Sequence, residues 1–312
     1  MTTETVDTTE RAVPDGEEGM LRLRPGLHVL PHGDDEVFVR EGSRSAFSKI
    51  VRDPQRRRVL AKVVQAMTEP MTAGVVAEQV QAAEVDVREI LHQLLEADVL
   101  QRLEVSPRTA MSIALIGDGE LGDSLAANLA SGDAVKVERI PADTDHVQSE
   151  EAMAVFEGSD LVIVATDYLQ PGLNLMINQR IHDADVPALF SHIDGTEIVV
   201  GPLTLPGQSS CYLCFDVQDE GARHLRDEYL IYKDNLRTNQ PIGRVQPAVA
   251  KLAAGWVNLA VNKFDPQSPD FLVNRVLRVE TSKMEVMTHR ILQIPRCPVC
   301  SHRRPDLQHT FL

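Results

Sequence analysis

Hydrophobic and polar positions change period along the chain, and each change predicts an element. Leu27-His28-Val29-Leu30 precedes a turn cluster at 31–35. In Glu36-Val37-Phe38-Val39-Arg40, Val37 and Val39 then alternate with the residues between them. A second turn at 41–43 leads to a third short run over 46–50, so the region predicts a small antiparallel sheet. Behind Asp53-Pro54, an expected N-cap and first helical position, Val59, Leu60, Val63, Val64 and Met67 share one helical face. Further helices are predicted over 72–82 and 86–97, the latter with Val87, Ile90, Leu91, Leu94 and Leu95 turned inward, followed by a closing strand over 99–105. Strands and helices in this order predict a winged helix-turn-helix domain over 21–106.

After a proline-containing connector at 106–109 the pattern becomes that of buried strands. Met111-Ser112-Ile113-Ala114-Leu115-Ile116 runs straight into Gly117-Asp118-Gly119-Glu120-Leu121-Gly122 and a helical segment to residue 130. This is G-x-G-x-x-G between a strand and a helix, where glycines permit a tight turn and close backbone approach to a phosphate. Strands over 135–140, 161–166 and 187–192 alternate with helices over 149–156 and 170–183. The repeat predicts an α/β domain over 111–312 with a Rossmann-type parallel sheet and helices on both faces. The stretch 216–244 reads as a helix followed by a crossover loop. A helix with Trp256 on its apolar face covers 246–261, and 271–292 reads as a hairpin.

Charge narrows the function. The 312 residues carry 46 Asp and Glu against 31 Lys and Arg, a formal charge of −15, which repels nucleic-acid phosphate. The helix that a DNA-binding winged helix would insert into the major groove carries Glu84, Asp86, Glu89 and Glu96, so no nucleic-acid partner is expected. Peptide capture suits such a domain better, because a short sheet beside a helix offers an unpaired edge and an apolar groove; a pure packing role is the bland alternative. No segment has the roughly 18 consecutive apolar residues of a membrane span, and the acidic first twenty residues resemble a disordered tail rather than a secretory signal, so no membrane partner and a cytoplasmic location are expected.

The four cysteines lie in two C-x-x-C pairs, Cys211/Cys214 and Cys297/Cys300. Two such knuckles make the tetrahedral four-thiolate set preferred by structural zinc, and a closed site leaves no position for catalysis and no cysteine for use as a nucleophile.

A glycine-loop domain with Asp167 at the end of its third strand, then Gly201-Pro202-Leu203, Cys211-x-x-Cys214 and a distant Cys297-Pro-Val-Cys300, resembles the ThiF/MoeB/ubiquitin-activating-enzyme superfamily. The resemblance implies adenylation of a carboxylate with ATP, with Gly117, Gly119, Gly122 and Asp167 at the nucleotide; the bland alternative is that the glycine loop merely turns the chain and that Asp167 at the strand end is the N-cap of a helix. This chain departs from the family: it lacks the S-N-L-x-R-Q segment, has no Lys or Arg between Pro141 and Gln179, and has Tyr168 in place of the usual Asn. Only Asn174, Asn178 and Arg180 echo the family's Asn/Arg helix. Phosphoryl chemistry needs cations against the phosphates, so the nucleotide loop reads as vestigial and no catalytic residue is expected. If adenylation were retained, its cations would come from Lys233, Arg237, Arg244 or Lys251.

A winged-helix domain fused to a degenerate ThiF-like one is similar to the leader-peptide-binding partner proteins of thiazole/oxazole-modified (TOMM) peptide pathways. That resemblance implies a RiPP recognition element, which captures a precursor's leader peptide and presents the precursor to a separate YcaO cyclodehydratase. Mapped onto this chain, it points to Ser45, Phe47, Lys49 and Val51 on the pairing strand and to Arg88, His92 and Leu95 on the third helix. It also makes a homodimer plausible.

Overall fold

The computed structural model describes residues 4–5, 19–103, 111–130, 135–264 and 272–303. The connector at 106–109 and the last residues, 309–312, lie outside these, as does the expected disordered tail apart from residues 4–5 and 19–20. The chain divides into two compact units, Met1–Pro107 and Arg108–Leu312.

The first unit runs β1 (Glu4–Thr5), β2 (Met20–Leu23), β3 (His28–Pro31), β4 (Glu36–Arg40), β5 (Ser48–Arg52), α1 (Leu60–Ala66), α2 (Ala73–Val80), α3 (Glu84–Glu96) and β6 (Leu100–Leu103). Strands β3, β4 and β5 form the expected antiparallel meander, while β2 pairs antiparallel with β6 in a separate ladder. No hydrophobic pattern marks β1, which adds to β5 in parallel, Glu4 opposite Lys49 and Thr5 opposite Ile50. Val37 and Val39 of β4 project into a core closed by Leu60, Val63, Val76, Val87, Ile90 and Leu94, the inward positions of the three helical stripes.

Helix α1 starts several residues later than Asp53-Pro54 suggests. The buried Asp53 carboxylate accepts from the amides of Gln55 (3.1 Å) and Arg57 (2.8 Å), holding a loop in which Arg56 and Arg58 take left-handed φ values of 50° and 60°. Those angles are incompatible with a helical turn.

The second unit runs β7 (Met111–Ile116), α4 (Gly119–Ala130), β8 (Val135–Ile140), α5 (Thr144–Gln148), α6 (Glu150–Glu157), β9 (Leu161–Thr166), α7 (Pro171–Ala184), β10 (Ala188–Asp194), β11 (Glu197–Thr204), α8 (Tyr212–Ala222), α9 (Arg226–Asn235), α10 (Pro247–Asn262), β12 (Arg275–Glu280) and β13 (Glu285–Arg290). Its sheet has the order β13-β12-β11-β10-β9-β7-β8. Only β10, β9, β7 and β8 are parallel; β11, β12 and β13 extend the sheet antiparallel, which corrects the expectation of a parallel sheet. The reason is local. Between β10 and β11 only Gly195 and Thr196 intervene, with Gly195 at φ +63°, and so tight a turn can return the chain only as an antiparallel neighbour.

Alternation along β7 sorts the two cores. Ile113 and Leu115 face α4 and α10, with Leu121, Leu125, Ala253 and Val257. Ala114 and Ile116 face the other layer, with Phe156, Ile177, Phe190 and Tyr212. The outer strand β13 is exposed along its whole length, Val286 and Met287 included.

In mid-sheet, His192 of β10 is buried and its Nδ1 has no hydrogen-bond partner. Burial pushes its imidazole down to about 4; nearby Asp194 opposes the shift and Arg278 adds to it. Above pH 6.5 the imidazole is neutral in both states and contributes nothing to pH dependence. Between pH 6.5 and 4 the unfolded chain binds a proton that the folded chain refuses, so stability falls by about 3 kcal/mol. His192→Gln should remove about 2 kcal/mol of the stability difference between pH 7 and pH 4.5 in denaturant titrations. Equal acid sensitivity of variant and parent would show that His192 does not carry the effect.

Candidate functional site

Cys211 stands at the N-cap of α8 and Cys214 in its first turn; Cys297 and Cys300 lie on the segment after β13. All four are buried, and their sulfurs lie within 4.8 Å of one another. The Sγ separations are 3.8 Å for Cys211–Cys214, 3.5 Å for Cys211–Cys297 and 3.7 Å for Cys214–Cys300. A tetrahedron with metal–thiolate bonds of about 2.3 Å has edges of about 3.8 Å, so the donors fit one thiophilic ion. The Ile294 amide points at Cys214 Sγ (3.4 Å), an N–H···S bond of the kind that stabilises a ligating thiolate. Without a cation, hydrogen bonding to Cys214 and Cys300, and then burial, push the Cys211 thiol far up. A bound divalent charge reverses that balance and deprotonates the set.

The first knuckle is seated by α7. Asn178 Oδ1 accepts from the Tyr212 amide (2.9 Å), satisfying a free N–H at the start of α8, and Asn174 Nδ2 donates to the Tyr212 hydroxyl (3.0 Å). Tyr212 is fully buried against Phe190, ring centroids 4.5 Å apart. Arg180 donates to the Ser149 carbonyl (2.9 Å). The residues that echo a nucleotide-binding helix in sequence therefore serve packing and the cysteine cluster.

The glycine loop follows β7 and opens α4. A Cβ on Gly117 would lie 2.4 Å from the Ala165 carbonyl oxygen, and one on Gly122 would lie 2.8 Å from the Gly117 backbone, so both glycines permit close helix–strand packing. Gly119 sits at φ +82°. Beside it, the Asp167 carboxylate accepts from the amides of Glu120 (2.9 Å) and Leu121 (2.8 Å). These N–H groups at the helix start are the donors an incoming phosphate would use, and a carboxylate of the chain already takes them. Asp167 thus caps α4, the helix across the loop, rather than the one that follows it in sequence. Asp118 is also committed, accepting from the Ala142 amide (2.7 Å), and Arg139 donates to the Gly117 carbonyl (2.9 Å) and to Asp123 (2.8 Å).

Next to the loop lies a cavity of about 590 Å³, a volume suited to a small molecule. Among its described lining residues the carboxylates are Glu120, Asp167 and Asp194, and Arg244 is the single basic side chain. Burial raises the Tyr168 hydroxyl, helped by Asp167 and Asp118, and pushes Tyr232 up to about 12. Lys233 lies elsewhere: it is buried against Asp216 (2.6 Å) and Glu220 (2.5 Å). Arg237 is exposed beside Asp234, and Lys251 is exposed on α10.

In the first unit, the peptide-site residues proposed from sequence have mixed settings. Ser45 precedes β5, where its hydroxyl accepts from the Phe47 amide (3.1 Å). Phe47 is half-buried between the cations of Arg24 and Lys49, 4.6 Å and 4.9 Å from its ring centre. Lys49 Nζ donates to the Ala97 carbonyl at the end of α3 (2.9 Å), and Val51 is buried in the core. On α3, Arg88 pairs with Glu84 (2.6 Å), His92 lies near Glu96 (3.7 Å) and Leu95 packs against the core. Arg57, missed in sequence, contacts Asp86 and Glu89 near the start of α3, so with Lys49 it ties β5 and its following loop antiparallel to that helix.

No protein family profile and no curated protein matches the sequence. Solved structures match in fold. The heterocyclase TruD matches with a TM-score of 0.61 at 17% identity, over 90% of this chain and 43% of that one. A heterocyclase in complex with substrate and cofactor gives 0.60 at 18%, over 90% and 39%. E. coli MccB with succinimide gives 0.53 at 16%, over 90% and 99%. The chain therefore spans less than half the length of the heterocyclases and nearly the whole of MccB. At these identities the likeness is one of architecture, and it takes in residues of both units.

Purified protein should contain one thiophilic divalent ion per chain by elemental analysis. Cys300→Ser should bring that content close to zero and lower Tm by about 10 °C, the scale expected when roughly 4 kcal/mol of linked binding is lost from a unit of this size. Full metal content in the variant would remove Cys300 from the ligand set.

Proposed function

We propose that this chain is a non-catalytic leader-binding subunit in a thiazole/oxazole-forming peptide pathway. In this reading the first unit is a RiPP recognition element of winged-helix type, and β5 with α3 captures the leader of a ribosomal precursor. The second unit is a ThiF-like domain in which Cys211, Cys214, Cys297 and Cys300 hold structural zinc. A separate YcaO-type cyclodehydratase carries out the ring-forming chemistry on the precursor. The likeness in fold to heterocyclases supports a place in a ring-forming peptide pathway.

The observation that carries the non-catalytic part is the Asp167 carboxylate on the Glu120 and Leu121 amides. A triphosphate would have to expel that carboxylate and then sit among Glu120, Asp167 and Asp194, with Arg244 the one basic side chain among the described lining residues. Metal binding at the cysteines is independent of this. The ion would hold the segment carrying Cys297 and Cys300 against the start of α8, with no open position for a substrate.

A second reading keeps adenylation of a peptide carboxylate, as the likeness to E. coli MccB, which has been solved with ATP, allows. Lys233 does not support it, because its ammonium is neutralised by two carboxylates.

Calorimetry of the zinc-loaded protein with the leader encoded beside it should give micromolar binding, and carboxylate-dependent pyrophosphate exchange should be absent. Exchange activity that Asp167→Ala abolishes would establish the second reading. Absence of leader binding would remove the first. Lys49→Glu is a poor probe of the site because it also breaks the bond to Ala97; Arg52 is exposed on β5 and pairs with Glu36 across the ladder (2.6 Å), so Arg52→Gln removes its charge without setting two carboxylates opposite each other or touching the core.

A further inference from the structure

Strand β13 forms one edge of the seven-stranded sheet, and its register defines what that edge offers. The Ile291 amide bonds the Asn274 carbonyl (2.8 Å), and unbroken antiparallel pairing continues from Arg275 opposite Arg290 to Glu280 opposite Glu285. On the other side of β12 the Thr281 amide bonds the Thr196 carbonyl (2.9 Å), in the same phase. Alternation therefore turns the N–H and C=O groups of Glu285, Met287 and His289 towards β12, and those of Val286, Thr288 and Arg290 away from it. Among the described residues no strand lies beyond them.

Proteins normally blunt such an edge with charge, proline or a bulge. The opposite edge, β8, carries Lys136, Glu138 and Arg139. β13 has charge only at its ends, Glu285 and Arg290, around the run Val286-Met287-Thr288-His289, and has no proline or bulge. Val286 is 53% exposed and Met287 40%, and beside the strand Met284 is 83% exposed and Leu292 61%. Unpaired backbone and apolar side chains thus meet water together, the composition of a surface made to be covered.

A second copy fits this edge. When two β13 strands run antiparallel with Met287 on the two-fold axis, outward groups meet outward groups: Val286 opposes Thr288 of the partner subunit, twice over. On the other face of the strand the two Met287 side chains oppose each other, and each Glu285 opposes His289 of the partner subunit. No like charges are set against one another. A chain of net charge −15 repels itself over most of its surface, but residues 283–292 balance Glu285 with Lys283 and Arg290, so copies can approach there. We propose that two copies of this chain pair through β13, continuing the sheet across a two-fold axis at Met287. The surface belongs to the second unit, and the pairing holds whether or not the first unit captures a leader.

Sedimentation velocity and amide hydrogen exchange on the full-length, metal-loaded protein test this. One strand pair is smaller than a standard interface, so a dissociation constant of about 10 μM is expected. The protein should be mostly dimer at about 100 μM and mostly monomer at about 1 μM, with exchange at Val286 and Thr288 about fourfold slower at the higher concentration. Thr288→Pro removes an outward N–H and no bond to β12, and Met287→Glu sets two carboxylates against each other across the axis. Each variant should be monomeric at about 100 μM, with circular dichroism and metal content unchanged. Glu285→Lys should weaken pairing and His289→Glu added to it should restore pairing; no restoration would overturn the axis at Met287. A parent that is monomeric at about 100 μM, or a dimer that survives both Thr288→Pro and Met287→Glu, would overturn the proposal. So would slower exchange at Val286 and Thr288 on adding leader peptide to monomeric protein, which would give the edge to the peptide.

Discussion

The sulfur cluster is the constraint on which the second unit depends. Its four donors come from the start of α8 and from the segment after β13, elements far apart in sequence. Bringing their sulfurs within 4.8 Å fixes the end of the antiparallel extension against the layer that also holds Tyr212, Phe215 and α7. The polar stripe of α7 is explained by the same point. Asn174 and Asn178 are buried in a helix interior, a costly place for amides, because they satisfy the hydroxyl and backbone N–H of the residue next to Cys211.

Around that anchor, the two buried cations among the described residues of the unit each lie between carboxylates. Lys233 contacts Asp216 and Glu220, and Arg278 contacts Glu197 and Asp219. Such groups hold relative positions of α8, α9 and the sheet through well-defined hydrogen bonds, but add little net stability once desolvation is counted. They also withdraw charge from chemistry. An ammonium shared by two carboxylates is electrostatically spent, so an acidic chain that uses its few interior cations in this way leaves the cavity beside the glycine loop with an excess of negative charge.

Much of the architecture was legible in the sequence because period reports directly on burial. The runs at 111–116 and 161–166 became β7 and β9 at the expected residues, and the stripe from Val87 to Leu94 became the inner face of α3. The paired cysteines announced their cluster through spacing alone. What remained hidden depends on contacts distant in sequence. β11 was obscured because its Gly201-Pro202 interrupts the strand pattern. The late start of α1 followed from left-handed backbone at Arg56 and Arg58, residues with no propensity for it. Asp167 could be recognised as a cap or a ligand at a strand end, but which helix it caps is settled only by the approach of β9 to the loop. β1 has two residues of unremarkable composition, and its partner lies more than forty positions away.

The internal cap on α4 has a consequence for how such a chain changes over generations. Where a nucleotide's phosphate satisfies a helix N-terminus, losing the ligand exposes unmet donors, and folding itself helps to preserve the binding residues. Here a carboxylate of the chain meets the donors at Glu120 and Leu121. Folding is thereby uncoupled from ligand occupancy, and substitutions on the cavity wall other than at Asp167 carry no penalty in stability through that cap. The glycines would persist for packing while the residues around them drift.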